Sequence, residues 1–192
     1  EYLAIDEYGM AKGREENLLF NSGKTNWTII RPYITYNTNR IQLGVYEKEN
    51  WLKRALEGRT IVFPKDIASK MTSLTYGPDV ILDAISLGNT MTSLTYGPDV
   101  AGTISKLIGN EKAIGQAFHI TTEESYTWGE VLDFYCDKIE EITGTRPKVK
   151  LVNDSNGLMT VWNKWQIKYD RLFSREFDNS KIESVRGRYK YK

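Results

Sequence analysis

The sequence predicts an α/β fold with parallel strands, and three observations lead there. Short apolar runs alternate with longer segments of helical periodicity along the chain. Glycine or a polar cluster follows most of the helical segments, where a helix C-terminus needs a left-handed residue or a turn. The chain has 192 residues, 40% of them apolar, which suffices for a buried core and fits one domain or one large lobe.

Each element follows from its residues. Tyr8 to Phe20, "YGMAKGREENLLF", contains good helix formers and no proline, so it is expected to be helical. "NSGK" then marks a turn. "WTIIRPYITY" reads as a buried strand running into proline, and a polar loop follows. "NWLKRALEG" reads as a short amphipathic helix closed by Gly58. "RTIVF" is the next expected strand. "VAGTISKLIG" is expected as another helix ending on glycine, and "QAFHIT" as another strand. "TWGEVLDFYCDKIEEITG" predicts a long helix, which Thr127 caps together with Glu130 in a capping box. "PKVKLV" reads as a last strand. The tail from Asn163 is mixed and gives no clear assignment.

Composition narrows the function classes. The net charge is +1, so global electrostatics point to no nucleic-acid partner. The tail from Asn163 to Lys192 holds nine Lys or Arg against four Asp or Glu, a basic stretch that reads first as a solvated surface. A single cysteine, Cys136, cannot make an internal disulfide; this suits a reducing, cytoplasmic setting. No run approaches the length of a membrane span, so no membrane partner is expected. The chain begins at Glu1, and its first residues already read as the approach to a helix, so an N-terminal portion is expected to be missing.

Among residues that could carry chemistry, Tyr8-Gly9-Met10-Ala11-Lys12 stands out. A tyrosine and a lysine at i and i+4 sit about 40° apart around a helix, on one face. An ammonium close to a phenol favours the phenolate. Such a tyrosine can exchange a proton with a substrate hydroxyl. Read alone, the pair reads first as a surface contact. Other motifs carry less. Gly23-Lys24-Thr25 imitates the end of a phosphate-binding loop, but Leu18 stands where its first glycine is required. His119 has no His or Cys at ligand spacing, so no metal site is expected. Cys136 and the scattered Trp and Tyr residues read as core.

In order and spacing, these features resemble the extended short-chain dehydrogenase/reductase family, the NAD-dependent epimerase/dehydratases. The resemblance runs from Tyr8 to about Lys150. It rests on YGxxK followed by Glu16, on "TIIRPYITYN" with Arg31-Pro32, and on "NWLKRALEGRTIVF". It continues through "LTYGPDVAGTISKLIG" with Asp99-Val100-Ala101 and "AFHITTEESYTWGEVL". The tail "YDRLFSREFDNSKI" is similar to that of the branch found in bacterial sugar-nucleotide and capsule clusters. The resemblance implies a partial Rossmann-like, doubly wound parallel sheet with a C-terminal substrate lobe. Residues 1–120 would form the C-terminal half of the Rossmann-type domain, and residues 121–192 an incomplete substrate-binding lobe. It implies an NAD or NADP cofactor and a nucleotide-sugar substrate. Tyr8 would be the acid/base and Lys12 would bond the nicotinamide ribose. Pro32, Tyr33 and Ile34 would flank the nicotinamide. Arg171, Arg175 and Lys181 could meet a diphosphate in the substrate lobe through charge-assisted hydrogen bonds. A homodimer is also the family expectation.

The departures are as informative. The family's glycine-rich G-x-x-G-x-x-G turn, whose helix N-terminus holds the pyrophosphate, does not occur in this sequence. The Ser or Thr that assists the tyrosine is missing too. The expectation is therefore an internal piece of a nucleotide-sugar epimerase, reductase or dehydratase, inactive in isolation. The alternative is a non-catalytic fragment or binding module that keeps only the substrate lobe. Finally, "MTSLTYGPDV" occurs twice, at Met71–Val80 and Met91–Val100. Two copies with unlike flanks are not a solenoid. Removing one copy and the spacer "ILDAISLGNT" restores the family register, so the twenty residues read as an insertion from tandem duplication or a misread sequence.

Overall fold

The computed structural model describes residues 7–35, 40–75, 97–121 and 124–187. Helix α1 spans Glu7–Phe20, close to the expected bounds. The apolar run after it is broken: β1 is Thr28–Pro32 and β2 is Ile34–Thr35. Pro32 supplies no amide hydrogen, so the ladder cannot run through it unchanged. Helix α2 (Lys48–Leu56) buries Trp51, Leu52 and Ala55 and ends before Gly58 at φ 69°. Next come β3 (Ile61–Pro64), a one-turn helix α3 (Lys65–Ala68) and β4 (Met71–Thr75). Helix α4 spans Gly97–Leu107, β5 Gln116–Ile120 and β6 Ser125–Thr127. Helix α5 (Trp128–Thr143) carries the expected capping box. Thr127 Oγ1 accepts from Glu130 N at 3.1 Å, and Glu130 Oε2 accepts from Thr127 N at 2.6 Å. Strand β7 is Val149–Val152. In the tail, a short helix α6 (Lys164–Gln166) runs into a π-turn over Ile167–Arg171, and helix α7 spans Ser180–Arg186.

The strands form three small sheets among the described residues. In the first, β1 pairs parallel with β5, placing Arg31 opposite His119 and Pro32 opposite Ile120. In the second, β4 is central, parallel to β2 and antiparallel to β6. In the third, β3 pairs parallel with β7. The α/β class and the parallel pairing are as expected. The antiparallel β6 is not; its three residues are too few to show a strand period in the sequence.

Two apolar cores organise these sheets. The larger joins the segment from Ile34 to Ile67 with α5 and Ile167. At its centre the rings of Trp51 and Tyr135 stack at 4.8 Å, and Tyr135 donates its hydroxyl to the Gln42 carbonyl at 3.2 Å. Gly44 sits here at φ 59°, where a Cβ would stand 3.0 Å from Phe63 Cε2, so this turn requires glycine. The smaller core holds Leu107, Ala113, Phe118 and Ile182, with Ile30 and Val185 against it. Both cores draw residues from either side of residue 120. The chain crosses between the cores several times, because parallel strands are contributed by segments far apart in sequence.

The repeat is split between elements. The first copy's Met71–Thr75 forms β4, while the second copy's Gly97–Val100 opens α4. Residues 76–96, which hold the end of the first copy, the spacer and the start of the second copy, lie outside the described residues.

Candidate active site

Helix α1 presents Tyr8 and Lys12 together, as their spacing requires: Lys12 Nζ lies 5.9 Å from the centroid of the Tyr8 ring. Tyr8 is 72% exposed. Lys12 donates to Glu15 Oε2 at 2.8 Å, and this bond and charge raise its pKa, so the ammonium persists across the neutral range. One turn on, Glu16 anchors the helix. Arg31 Nε donates to Glu16 Oε1 at 2.8 Å, and Arg31 Nη2 donates to Glu16 Oε2. This two-pronged guanidinium–carboxylate contact ties α1 to β1. It also holds the Glu16 carboxyl below its ordinary range. Beside it on β5, partial burial and the Arg31 charge lower the His119 pKa, so the imidazole is neutral near pH 7.

The carboxyl ends of β1 and β5 are where a ligand crevice is expected in a parallel α/β sheet. Pro32 is exposed there. Tyr33, the next residue, turns toward the tail and donates its hydroxyl to Asp170 Oδ1 at 2.9 Å. Burial, then the Asp170 charge, pushes the Tyr33 phenol well above its ordinary pKa. Ile34 is buried in the larger core, only 8% exposed. The ring of Phe177 bridges the two strand ends, 4.9 Å from Tyr33 and 5.0 Å from His119. Below it, Asn179 Nδ2 donates to the Thr121 carbonyl at 3.1 Å, and Thr121 Oγ1 donates to Asn179 Oδ1 at 3.2 Å. The tail is thus fastened across the crevice.

The three basic residues expected at a diphosphate part company. Arg171 is 3% exposed. Its Nε donates to the Gly44 carbonyl at 2.8 Å, its Nη2 to Gln42 Oε1 at 3.3 Å, and its Nη1 to Asp170 Oδ2. The guanidinium lies 5.6 Å from the Trp128 ring centroid. With each guanidinium nitrogen bonded to a protein acceptor, Arg171 cross-links the core, whereas the sequence had placed it among the diphosphate contacts. Lys181 lies on α7, donates to the Ala117 carbonyl at 3.0 Å and covers the Phe118 ring, so it stands with the smaller core and not with Arg171. Arg175 alone remains near the surface of the cluster. Its Nε is 3.5 Å from Asp170 Oδ1, and its Nη2 donates to the Tyr169 carbonyl at 2.8 Å. Its backbone is pinned by β4, since Arg175 N donates to the Met71 carbonyl at 2.8 Å and Ser73 Oγ to the Arg175 carbonyl at 3.2 Å.

Sequence reasoning missed Asp170, which gathers Tyr33, Arg171 and Arg175, and Phe177, which packs between the strand ends. Neither residue is marked by its neighbours in sequence: Tyr33 lies 137 positions from Asp170 and 144 from Phe177. Among the described residues, no group of three His, Cys, Asp or Glu side chains could hold a metal ion.

Solved structures share this architecture. UDP-glucuronic acid 4-epimerase from Bacillus cereus, solved in complex with NAD, aligns over 95% of this chain at a TM-score of 0.58 and 16% identity. This chain folds like part of that epimerase. The same enzyme with UDP-glucuronic acid and NAD aligns over 93% at 0.57, and Pal from Bacillus thuringiensis over 93% at 0.55 and 14% identity. In each comparison the chain spans 46% of the epimerase-fold protein's length. No protein-family model matches the sequence, and no curated protein matches it. The epimerase fold places α1, β1 and the tail in one structural frame, and the architecture is the part of the sequence expectation that these comparisons establish. No helix among the described residues is long and apolar enough to cross a membrane.

Proposed function

We propose that this chain is the acid/base and substrate-binding portion of an NAD(P)-dependent epimerase, reductase or dehydratase acting on a nucleotide sugar. The observation that carries the reading is the Tyr8–Lys12 face of α1, braced to β1 by Glu16 and Arg31 beside the exposed Pro32. A nicotinamide cofactor fits these residues at its nicotinamide end. Lys12 has donors to offer a ribose hydroxyl once it leaves Glu15, and Pro32 offers an uncovered apolar surface. The chain's own residues do not fit the pyrophosphate end, because no glycine-rich turn occurs in the sequence. A bound cofactor of this kind supplies reversible hydride acceptance. Tyr8 takes the proton from the sugar hydroxyl and gives it back, and the Lys12 ammonium stabilises the phenolate between those events. Arg175, held by Asp170, offers a guanidinium to the diphosphate.

The test is Tyr8→Phe in the complete protein. Loss of general acid–base catalysis should lower turnover by about 10²–10⁴-fold with cofactor affinity nearly unchanged. Near-normal turnover in that variant would sink the assignment. A second reading is a non-catalytic binding module, favoured by the missing glycine-rich turn. Titration of the chain with NADH, followed by nucleotide fluorescence, separates the two: a chain that binds NADH tightly by itself is no mere substrate lobe.

A further inference from the structure

The tail crosses the carboxyl ends of β1 and β5 as a strap, and it is clamped on both sides of Phe177. Before that residue, Arg175 N donates to the Met71 carbonyl at 2.8 Å, and the Arg175 carbonyl accepts from Ser73 Oγ at 3.2 Å. After it, the Asp178 carboxylate accepts from Ser180 N at 2.8 Å and from Ser180 Oγ at 2.9 Å. The Asn179 side chain exchanges two hydrogen bonds with Thr121, and both residues are buried. Phe177 itself is half-buried. Its ring lies 4.9 Å from that of Tyr33 and 5.0 Å from that of His119, tilted against both. The proposed chemistry gives this ring no part.

From the ring a continuous series of contacts leads to helix α1. His119 stands opposite Arg31 in the β1–β5 register, so the two side chains share one face of the sheet. Arg31 grips Glu16 through Nε and Nη2. Tyr8, Lys12 and Glu16 follow at four-residue steps, about 40° apart, along one stripe of α1. The fork between Arg31 and Glu16 is not sealed, since the two side chains remain 37% and 29% exposed. Water weakens such a pair and lets it re-form in other geometries. Arg31 therefore needs a neighbour that confines it. The His119 imidazole is that neighbour, close enough for the charges of Arg31 and Glu16 both to act on it, and Phe177 packs on the imidazole.

We propose that Phe177 is a positioning residue for the Tyr8–Lys12 face. Its ring, set between Tyr33 and His119, fixes the imidazole beside Arg31. Arg31, so confined, keeps its fork on Glu16 and holds α1 in register with β1. The inference rests on the acid/base reading above and adds the residue that steadies the reacting helix from the tail. Because the strap carries the ring, the seating of the tail and the setting of α1 are coupled through one packed series of side chains. The competing role is space-filling, in which any apolar side chain of similar size serves.

The 192-residue chain contains one histidine, so the His119 ring protons give isolated NMR signals. Phe177 belongs to neither core, so Phe177→Leu is expected to fold, and a cooperative urea transition checks this. The leucine keeps the apolar character and loses the ring. It should move the His119 signals through loss of the ring current. It should also raise amide exchange across α1 by about tenfold, the scale of one charge-assisted hydrogen bond. Phe177→Tyr keeps the ring and should restore both. In the complete protein, Phe177→Leu should lower kcat by about ten- to a hundredfold, the scale of a small misplacement of reacting groups, with KM for the nucleotide sugar nearly unchanged. Unchanged α1 exchange in Phe177→Leu, equally raised exchange in Phe177→Tyr, or a raised KM with normal kcat would each overturn the positioning role. Tyr8→Phe answers separately for the acid/base reading: normal turnover there removes that reading, whereas exchange in α1 decides the brace by itself.

Discussion

Replacing Arg171 and Arg175 separately by methionine should produce opposite phenotypes, although both residues read in sequence as diphosphate ligands. Arg171 donates to the buried Gly44 carbonyl and to the buried Gln42 amide oxygen, and each acceptor left without its donor costs about 1–3 kcal/mol. The Asp170 carboxylate loses a partner as well. Breaking a fully buried pair costs about 3–5 kcal/mol, but Asp170 keeps the Tyr33 hydroxyl and Arg175, so its share is smaller. Methionine refills most of the volume beside Trp128. The sum for Arg171→Met comes to about 3 kcal/mol of lost stability. Urea unfolding followed by tryptophan fluorescence reads it, since Trp51 and Trp128 are buried. Arg175→Met, with its side chain 35% exposed, should cost under about 1 kcal/mol and instead weaken UDP binding. Arg171→Lys keeps the charge but not the planar fork, and should fall between wild type and methionine in stability. A stable Arg171→Met that had lost UDP binding would show that the guanidinium faces the ligand, and the structural assignment would be wrong.

Three further outcomes follow from other contacts. The folded-state pKa of Glu16 is depressed by Arg31, so its contribution is complete above the ordinary carboxylate range and is lost as pH falls through the lower folded value. Amide exchange in α1 should accelerate over that acidic window in the parent and show no such step in Glu16→Gln; identical profiles would remove the strut. Burial pushes the Cys136 thiol up to about 11, so it should resist alkylation at pH 8 until the chain unfolds, and rapid labelling of the folded protein would contradict that burial. Deleting residues 76–95 should leave the fold intact with equal or higher urea resistance, since loop closure becomes slightly cheaper; loss of cooperative unfolding would mean the inserted residues belong to the core.

Much of the fold was legible because its signals are local. The Tyr8–Lys12 face follows from helix geometry alone, and the Thr127–Glu130 capping box is written in four consecutive positions. Gly58 and Gly144 close α2 and α5 because both take positive φ. What escaped was set by distant pairings. The burial of Arg171 depends on Gly44, 127 residues away, and nothing in "YDRLF" separates a buried arginine from an exposed one. Its neighbour Asp170 likewise looks like an ordinary surface acid until Tyr33 arrives from β1's carboxyl end. The make-up of the cores is set the same way: parallel pairing draws segments from both sides of residue 120 into each core.

The repeat gains its meaning from how the fold uses its two copies. Strand β4 needs one "MTSLT", and it takes the first, because Ile34, Thr35 and the β6 residues pair with Met71–Thr75. Helix α4 needs one "GPDV", and it takes the second, which runs directly into the residues that pack on the smaller core. Among the described residues, the first copy supplies "MTSLT" to β4 and the second supplies "GPDV" to α4. An in-frame insertion of twenty residues at this strand-to-helix connection would carry a small entropic cost, since loop-closure entropy grows slowly with length. The same strand also pins the backbone of Arg175, so the first copy is tied to the candidate site.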